Sequence, residues 1–229
     1  MRALVLCGGR GTRAYPLTAE LPKPLLEIGG RPILRHVLDI YARQRVTEFV
    51  LAAGFHADAI TAFAESLPSH WRVDVVDTGV EAGTAERVRA CLDHLGEAFH
   101  ATYGDGVGNV DLDRLAARHR EHPGTGTVTA VPLPSPYGTL DLGPGDAVCG
   151  FREKPRLPEH WINAGFFVFD RSALAHPGDD LERDVLPALA GSGELFVYRH
   201  EGFWASLDTY KDQMDLDALA TSGDPPWQG

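Results

Sequence analysis

The first apolar run of this chain closes in Gly8-Gly9-Arg10-Gly11-Thr12-Arg13, and Lys23, flanked by Pro22 and Pro24, follows a short stretch later. Glycines without Cβ let backbone N–H groups approach a phosphate and allow positive φ where a turn needs it. Arg13 offers a planar fork for phosphate oxygens, and Lys23 a compact charge presented from a stiff Pro-Lys-Pro segment. Two readings stand here: an anion cradle, or a Gly-rich turn with solvated basic residues. The pattern is neither the dinucleotide G-x-G-x-x-G nor the Walker loop, because Lys23 lies too far downstream.

Two aspartates form the second candidate group. Asp105 sits between Gly104 and Gly106 after an apolar run, and Asp208 follows the aromatic segment Gly202-Phe203-Trp204. Alone, Asp105 reads as a turn residue and Asp208 as a helix N-cap. Together they supply the one or two hard oxygen ligands that Mg²⁺ takes when phosphates and waters complete its octahedron. Asp111 and Asp113 read as loop and helix-start residues. A third group comprises Glu153-Lys154-Pro155 and Ile162-Asn163-Ala164-Gly165. Lys154 suits a monophosphate, while Glu153 and Asn163 suit sugar hydroxyls. A charged surface turn is the plainer reading of Glu153 and Lys154.

The complete string, G-G-x-G-T-R, Pro16-Leu17-Thr18, Pro-Lys-Pro and Gly29-Gly30-Arg31-Pro32-Ile33-Leu34, resembles the signature of the sugar-nucleotide pyrophosphorylases. The E-K-P and I-N-x-G elements match the same family. Tyr103-Gly104-Asp105-Gly106-Val107, Gly202-Phe203-Trp204 and Asp208-Thr209 are similar to its glucose-1-phosphate cytidylyltransferase branch. The resemblance runs from about Ala3 to Trp227. It implies transfer of a nucleotidyl group from an NTP, CTP favoured, to a sugar 1-phosphate, glucose 1-phosphate favoured, with Mg²⁺ as cofactor and pyrophosphate as by-product. Arg13, Lys23, Asp105 and Asp208 would be catalytic, with both aspartates on the metal. Gly8, Gly9, Gly11 and Thr12, with Gly83 and Thr84 near the base, would bind nucleotide. Gly138, Glu153, Lys154, Asn163 and Trp204 would form the sugar-phosphate side.

Two departures bear on specificity. The segment between Leu51 and Val75 is shorter than that branch leads one to expect, and Ala82-Gly83-Thr84-Ala85 replaces a more Gly-rich turn. The same chemistry with GTP, UTP, ATP or dTTP, or with another sugar or cyclitol phosphate, therefore stands beside the CTP reading. A non-catalytic nucleotide sensor or subunit is the alternative of another class, opposed by intact Arg13, Lys23, Asp105, Asp208 and Lys154.

These residues need a scaffold that gathers strand ends. Strand-length runs at Ala3–Cys7, Phe49–Ala53, Val73–Val76 and Phe99–Tyr103 alternate with helical periods at Ile33–Ala42, Asp58–Ser66, Ala85–Leu95 and Leu112–Glu121. Such alternation predicts crossover units: an α/β, Rossmann-like, mainly parallel mixed sheet flanked by helices, of nucleotidyltransferase (GT-A-like) type. After Pro123, strands are expected at Thr127–Val131, Gly138–Leu142, Ala147–Phe151, Phe166–Asp170 and Leu195–Arg199, then a helix at Tyr210–Leu219. We expect one domain over 1–229, with a nucleotide-binding half to about residue 122 and a sugar-phosphate half beyond it.

Composition excludes other classes. Asp plus Glu outnumbers Lys plus Arg by 32 to 21, for a formal charge of −11, which argues against general nucleic-acid binding. No apolar run approaches the roughly 18 residues of a membrane span, and Met1–Cys7 reads as a strand rather than a signal peptide, so a cytoplasmic protein without membrane attachment is expected. A homo-oligomer is compatible with all of this. Cys7, Cys91 and Cys149 lack C-x-x-C spacing and are expected as buried reduced thiols. His119 and His122 are expected on a solvated helix face. Ser135 and Ser206 lack a nucleophile elbow, which excludes a hydrolase triad. Phe63, Trp71 and Phe99 read as core.

Overall fold

A computed structural model describes residues 1–12, 18 and 20–228. In chain order the strands are β1 (Ala3–Leu6), β2 (Glu27–Ile28), β3 (Arg31–Pro32), β4 (Glu48–Ala53), β5 (Arg72–Asp77), β6 (Ala98–Tyr103) and β7 (Gly106–Gly108). There follow β8 (Gly126–Pro134), β9 (Thr139–Leu142), β10 (Val148–Arg152), β11 (Arg156–Asp170), β12 (Leu195–Arg199) and β13 (Trp204–Ser206). The helices are α1 (Ile33–Arg43), α2 (Ala57–Glu65), α3 (Thr84–Ala90), α4 (Leu112–Arg120), α5 (Leu186–Gly191) and α6 (Tyr210–Thr221).

Seven strands form one sheet in the order β12-β8-β11-β6-β1-β4-β5. All neighbours are parallel except β11, which runs antiparallel to β6 and to β8. The expected mainly parallel mixed sheet is therefore observed, and strands from both sides of Pro123 join it. Its central strands are apolar because both faces are covered. Ala3 and Val5 of β1 enter one core with α1, while Leu4 and Leu6 enter the other with Ala85 and Val88 of α3. The same alternation splits Phe166 and Val168 from Phe167 and Phe169 along β11. Phe99 is fully buried, and Phe63 and Trp71 pack against the core.

Several elements differ from expectation. The helix expected to Leu95 stops at Ala90 and continues only as a 3₁₀ turn, Leu92–His94. The strand expected at Phe166–Asp170 is the end of a much longer strand from Arg156, bulged between Leu157 and Trp161 and between Asn163 and Phe167. β9 and β10 pair with each other as a separate ribbon. Two short pairings, β2 with β3 and β7 with β13, carry too few residues to show a period. The π-type turn Leu181–Val185 and α5 were not anticipated either.

Side-chain environments correct two further expectations. Cys7 and Cys91 are buried free thiols, but Cys149 is exposed, because its ribbon has no covering layer. Burial pushes the Cys91 thiol up to about 12 and the Cys7 thiol higher still. His119 is buried rather than solvated: its ring contacts Thr127 Oγ1 at 2.8 Å and Asp170 Oδ1 at 3.3 Å. His122 shares the Thr127 hydroxyl at 2.7 Å and stacks on Phe196. The helix turns His119 toward β8 and β11 as a hydrogen-bonded part of the core, while His122, just past the helix end, is half-buried beside it. No helix among the described residues is long and apolar enough to cross a membrane.

Candidate active site

A cavity of about 770 Å³ opens at the carboxyl ends of β1 and β6, the position where open α/β sheets take ligands. Gly8, Gly9, Gly11 and Thr12 line it on one side. Gly11 has φ +61°, and a Cβ there would stand 2.9 Å from Lys23 Cβ, so glycine is needed both for backbone and for space. At Gly9 a Cβ would meet nothing within 4 Å, leaving its backbone open to the cavity. Arg13, the expected phosphate fork, lies outside the described residues.

Lys23 begins a short 3₁₀ turn after Pro22 and is only 6% exposed. Its ammonium lies 2.7 Å from Asp105 Oδ2 and 2.8 Å from Asp208 Oδ1. The two carboxylates, remote in sequence, thus converge on one cation. The β7–β13 pairing explains how: Ser206 pairs with Gly106, and Leu207 N–H donates to the Asp105 carbonyl at 2.9 Å. Ser206 Oγ donates to Asp208 Oδ2 at 2.9 Å and orients that carboxylate. Both readings of Asp105 hold, since it occupies the β6–β7 turn and lines the cavity. The N-cap reading of Asp208 does not hold. Thr209 caps α6, its hydroxyl accepting from Asp212 N–H at 3.2 Å, which leaves the Asp208 side chain to the cavity.

The donor set fits a hard divalent cation. Two aspartate oxygens already share a positive charge at hydrogen-bond distance, and carboxylates are the ligands that Mg²⁺ prefers. No cluster of three or more His, Cys, Asp or Glu suited to a metal occurs among the described residues, so the protein offers this pair rather than a closed cage.

The opposite wall carries the turn at Gly83-Thr84. Gly83 N–H donates to Glu86 Oε2 at 2.8 Å, and a Cβ at Gly83 would stand 2.1 Å from the Asp179 carbonyl oxygen. Thr84 Oγ1 accepts from Leu181 N–H at 2.7 Å, which docks the turn on the 179–185 segment. Asp180, Glu182 and Arg183 of that segment also line the cavity. Behind the turn lies Arg87, 4% exposed. Its guanidinium donates to the carbonyls of Ala53 at 3.2 Å, Gly79 at 2.8 Å and Val80 at 3.1 Å, and to the Thr78 hydroxyl. A Cβ on Gly8 would stand 2.2 Å from Arg87 Nη1, so this side chain packs directly against the glycine loop while hydrogen-bonding the 78–80 loop. Burial pulls the Arg87 pKa below its ordinary value.

On the third side, Asn163 Oδ1 accepts from Gly165 N–H at 2.8 Å, and Trp204 Nε1 donates to the Ala164 carbonyl at 2.7 Å. Both residues line the cavity. Gly138, Glu153 and Lys154 do not. They cluster at the base of the β9–β10 ribbon, where a Cβ on Gly138 would stand 3.1 Å from Glu153 Oε2. Glu153 and Lys154 are exposed, 3.9 Å apart, and Lys154 has φ +46°. The structure therefore brings together the loop glycines, Thr12, Lys23, Gly83, Thr84, Asp105, Asn163, Trp204 and Asp208, and leaves the E-K-P element outside.

Sequence reasoning missed Arg87, Ser206 and the 180–183 segment. Arg87 follows an unremarkable helix start, and nothing in its neighbours signals that four oxygens will surround it. Ser206 could have been noticed two residues before Asp208, a spacing that allows a local hydrogen bond.

The model of the nucleotidyl transferase family matches residues 2–215. The chain is 36% identical to a Bacillus subtilis protein named "Probable glucose-1-phosphate cytidylyltransferase", over 100% of this chain and 99% of that one. It is 33% identical to the glucose-1-phosphate cytidylyltransferase of Salmonella typhimurium, with the same coverage. The crystal structure of HddC from Yersinia pseudotuberculosis complexed with GMP-PN superposes with a TM-score of 0.74 at 21% identity, over 95% of this chain and 98% of that one.

Proposed function

The chain belongs to the nucleotidyl transferase family and is an enzyme of its sugar-1-phosphate branch, and from that premise we propose that it converts CTP and glucose 1-phosphate into CDP-glucose and pyrophosphate. The observation that carries the mechanism is the meeting of Lys23, Asp105 and Asp208 beside the glycine loop. The choice of CTP and glucose 1-phosphate follows the names of the two relatives.

In this reading the sugar-phosphate oxygen attacks the α-phosphorus in line, the bond to the β-phosphate bridging oxygen breaks, and pyrophosphate leaves. Both reactants are anions, so the protein must offset repulsion and hold geometry. Backbone N–H groups of Gly8–Thr12, with Arg13, grip the β- and γ-phosphates that become the leaving group. Lys23 supplies positive charge at the α-phosphate, where negative charge grows. Asp105 and Asp208 would hold Mg²⁺, which would supply further charge neutralisation at the phosphoryl oxygens. Gly83 and Thr84 face the base, and Asn163 and Trp204 bound the sugar. Lys154 and Glu153 lie on the ribbon outside the cavity, and their part in holding the sugar phosphate rests on the resemblance of the E-K-P element alone. No general base is required, because the sugar phosphate arrives ionised.

The test is pyrophosphate release with Mg²⁺ and glucose 1-phosphate, offering ATP, CTP, GTP, UTP and dTTP in separate reactions. Preferred turnover of CTP is the expected result. Turnover with a different NTP keeps the chemistry and assigns the change in base to the Ala82-Gly83-Thr84 turn. No turnover with any of them overturns the substrate assignment. Asp105→Asn should lower kcat by about two decades or more without unfolding the protein, in line with loss of a preorganised charge site. A folded and fully active Asp105→Asn enzyme would sink the metal assignment.

A further inference from the structure

We propose that Lys23 is the resident counter-cation of the Asp105–Asp208 pair, and that a divalent cation and Lys23 exclude one another there. Metal entry is then what releases the ammonium toward the nucleotide phosphates. The inference rests on the reading above that the two aspartates seat the metal.

The argument begins from charge and space. Two carboxylates facing one cavity repel each other, and here one ammonium lies between them, 2.7 and 2.8 Å from their oxygens. A cation that takes an oxygen from each carboxylate needs that same space. Two cations this close to each other repel, more in a half-buried site than in bulk water, so the second enters as the first withdraws. Lys23 is built to withdraw without its backbone moving. Pro22 and Pro24 stiffen its backbone, and its Cβ abuts Gly11, while the stem beyond Cβ has further staggered rotamers with which to carry the ammonium elsewhere. The free volume lies in the cavity lined by Gly8–Thr12, on the side proposed for phosphates.

The exchange also changes the local charge. A divalent cation added to the group formed by Lys23, Asp105 and Asp208 makes it more positive by the cation's two charges, which favours an approaching triphosphate. Lys23 thus couples metal binding to phosphate binding, and that coupling is reciprocal.

The test uses Mn²⁺ alone as the probe, with the full chain and no nucleotide. Mn²⁺ binding is measured by electron paramagnetic resonance for the unmodified protein, Lys23→Met and Asp105→Asn. The expected result is about ten-fold tighter Mn²⁺ binding by Lys23→Met than by the unmodified protein, and loss of the site in Asp105→Asn. Equal Mn²⁺ affinity with and without Lys23, alongside loss in Asp105→Asn, overturns the exchange and leaves the metal assignment standing. Unchanged binding in Asp105→Asn overturns the metal assignment, and the exchange with it. A second measurement needs no variant. Lys23, Lys154 and Lys211 are the chain's lysines, so acetylation read by mass spectrometry resolves each. Lys23 should react at least five-fold faster at saturating Mn²⁺ than in EDTA, relative to the exposed Lys154. An unchanged Lys23 rate overturns the exchange even if Lys23→Met fails to fold.

Discussion

Two lysines of this chain sit beside prolines, and their surroundings are opposite. Lys23, between Pro22 and Pro24, is buried at the floor of the cavity with a carboxylate on either side. Lys154, before Pro155, is exposed on the β9–β10 ribbon, 3.9 Å from the flexible carboxylate of Glu153. The ribbon as a whole shares that openness: Leu140, Leu142, Val148 and Phe151 are all exposed on it. The same local stiffening therefore yields a preorganised charge in one place and a solvated one in the other. What separates them is the layer behind each lysine: β1, β6 and the β7–β13 pair stand behind Lys23, and no covering layer stands behind Lys154. Preorganised charge in a dry site stabilises a transition state, whereas a solvated charge contributes mainly to binding.

Paired substitutions sharpen this contrast most. Lys23→Ala should lower kcat by roughly two decades or more, as removal of a preorganised electrostatic group does. Lys154→Ala should instead raise the sugar-phosphate KM by about five-fold or less, in line with the at most about 1 kcal/mol of one solvent-exposed charge contact, with Tm unchanged. Equal effects from the two in steady-state kinetics would erase the distinction.

Next in size is Arg87→Ala. Its removal leaves the carbonyls of Ala53, Gly79 and Val80 without their shared donor beneath the glycine loop. A loss of about 3 kcal/mol in urea unfolding is expected, with a raised KM for the nucleotide. The matched substitution on the ribbon, Arg152→Ala, breaks only the exposed 2.8 Å pair with Asp141, and should cost no more than about 0.5 kcal/mol.

Acid should also act on the covered half. Burial holds His100 at about 4, below its ordinary 6.5, because the charged ring would be desolvated. Between those values the unfolded chain binds the proton and the folded chain does not. Stability is therefore full above pH 6.5 and falls as pH drops toward 4. Between pH 7 and 5 the expected loss from this group is roughly 1–2 kcal/mol. Thermal melts at the two pH values should show it, and His100→Gln should flatten the difference. Trp204→Phe is the mildest probe. It removes the 2.7 Å bond to the Ala164 carbonyl and should cost about 1 kcal/mol, with a small rise in sugar-phosphate KM.

Much of the fold was legible because β1, β4 and β6 are buried on both faces and stand out, with the half-buried edge strand β5, as short apolar runs between helical periods. The cavity's glycines and charges were legible because phosphate chemistry restricts the residue types that can serve it. Less visible were contacts made at long range. The separation of the β9–β10 ribbon from the main sheet is one such feature, and with it the exposure of Cys149, Glu153 and Lys154. The burial of His119 is another: its helical spacing is the same whether the face meets water or β8, and Thr127 and Asp170 decide the matter from other elements.

By itself the sequence determined the alternating α/β scaffold, the loop whose glycines leave backbone amides open, and the residue types suited to anions and a hard metal. Periodicity and steric restriction act locally, so they can be read from neighbours along the chain. Only the tertiary structure decided that Asp105 and Asp208 share one ammonium and that Arg87 holds the 78–80 loop beneath the glycine loop. Each of these depends on the β7–β13 pairing or on packing of α3 beneath β1. Pairing and packing bring together residues far apart in sequence, and no local pattern specifies that meeting.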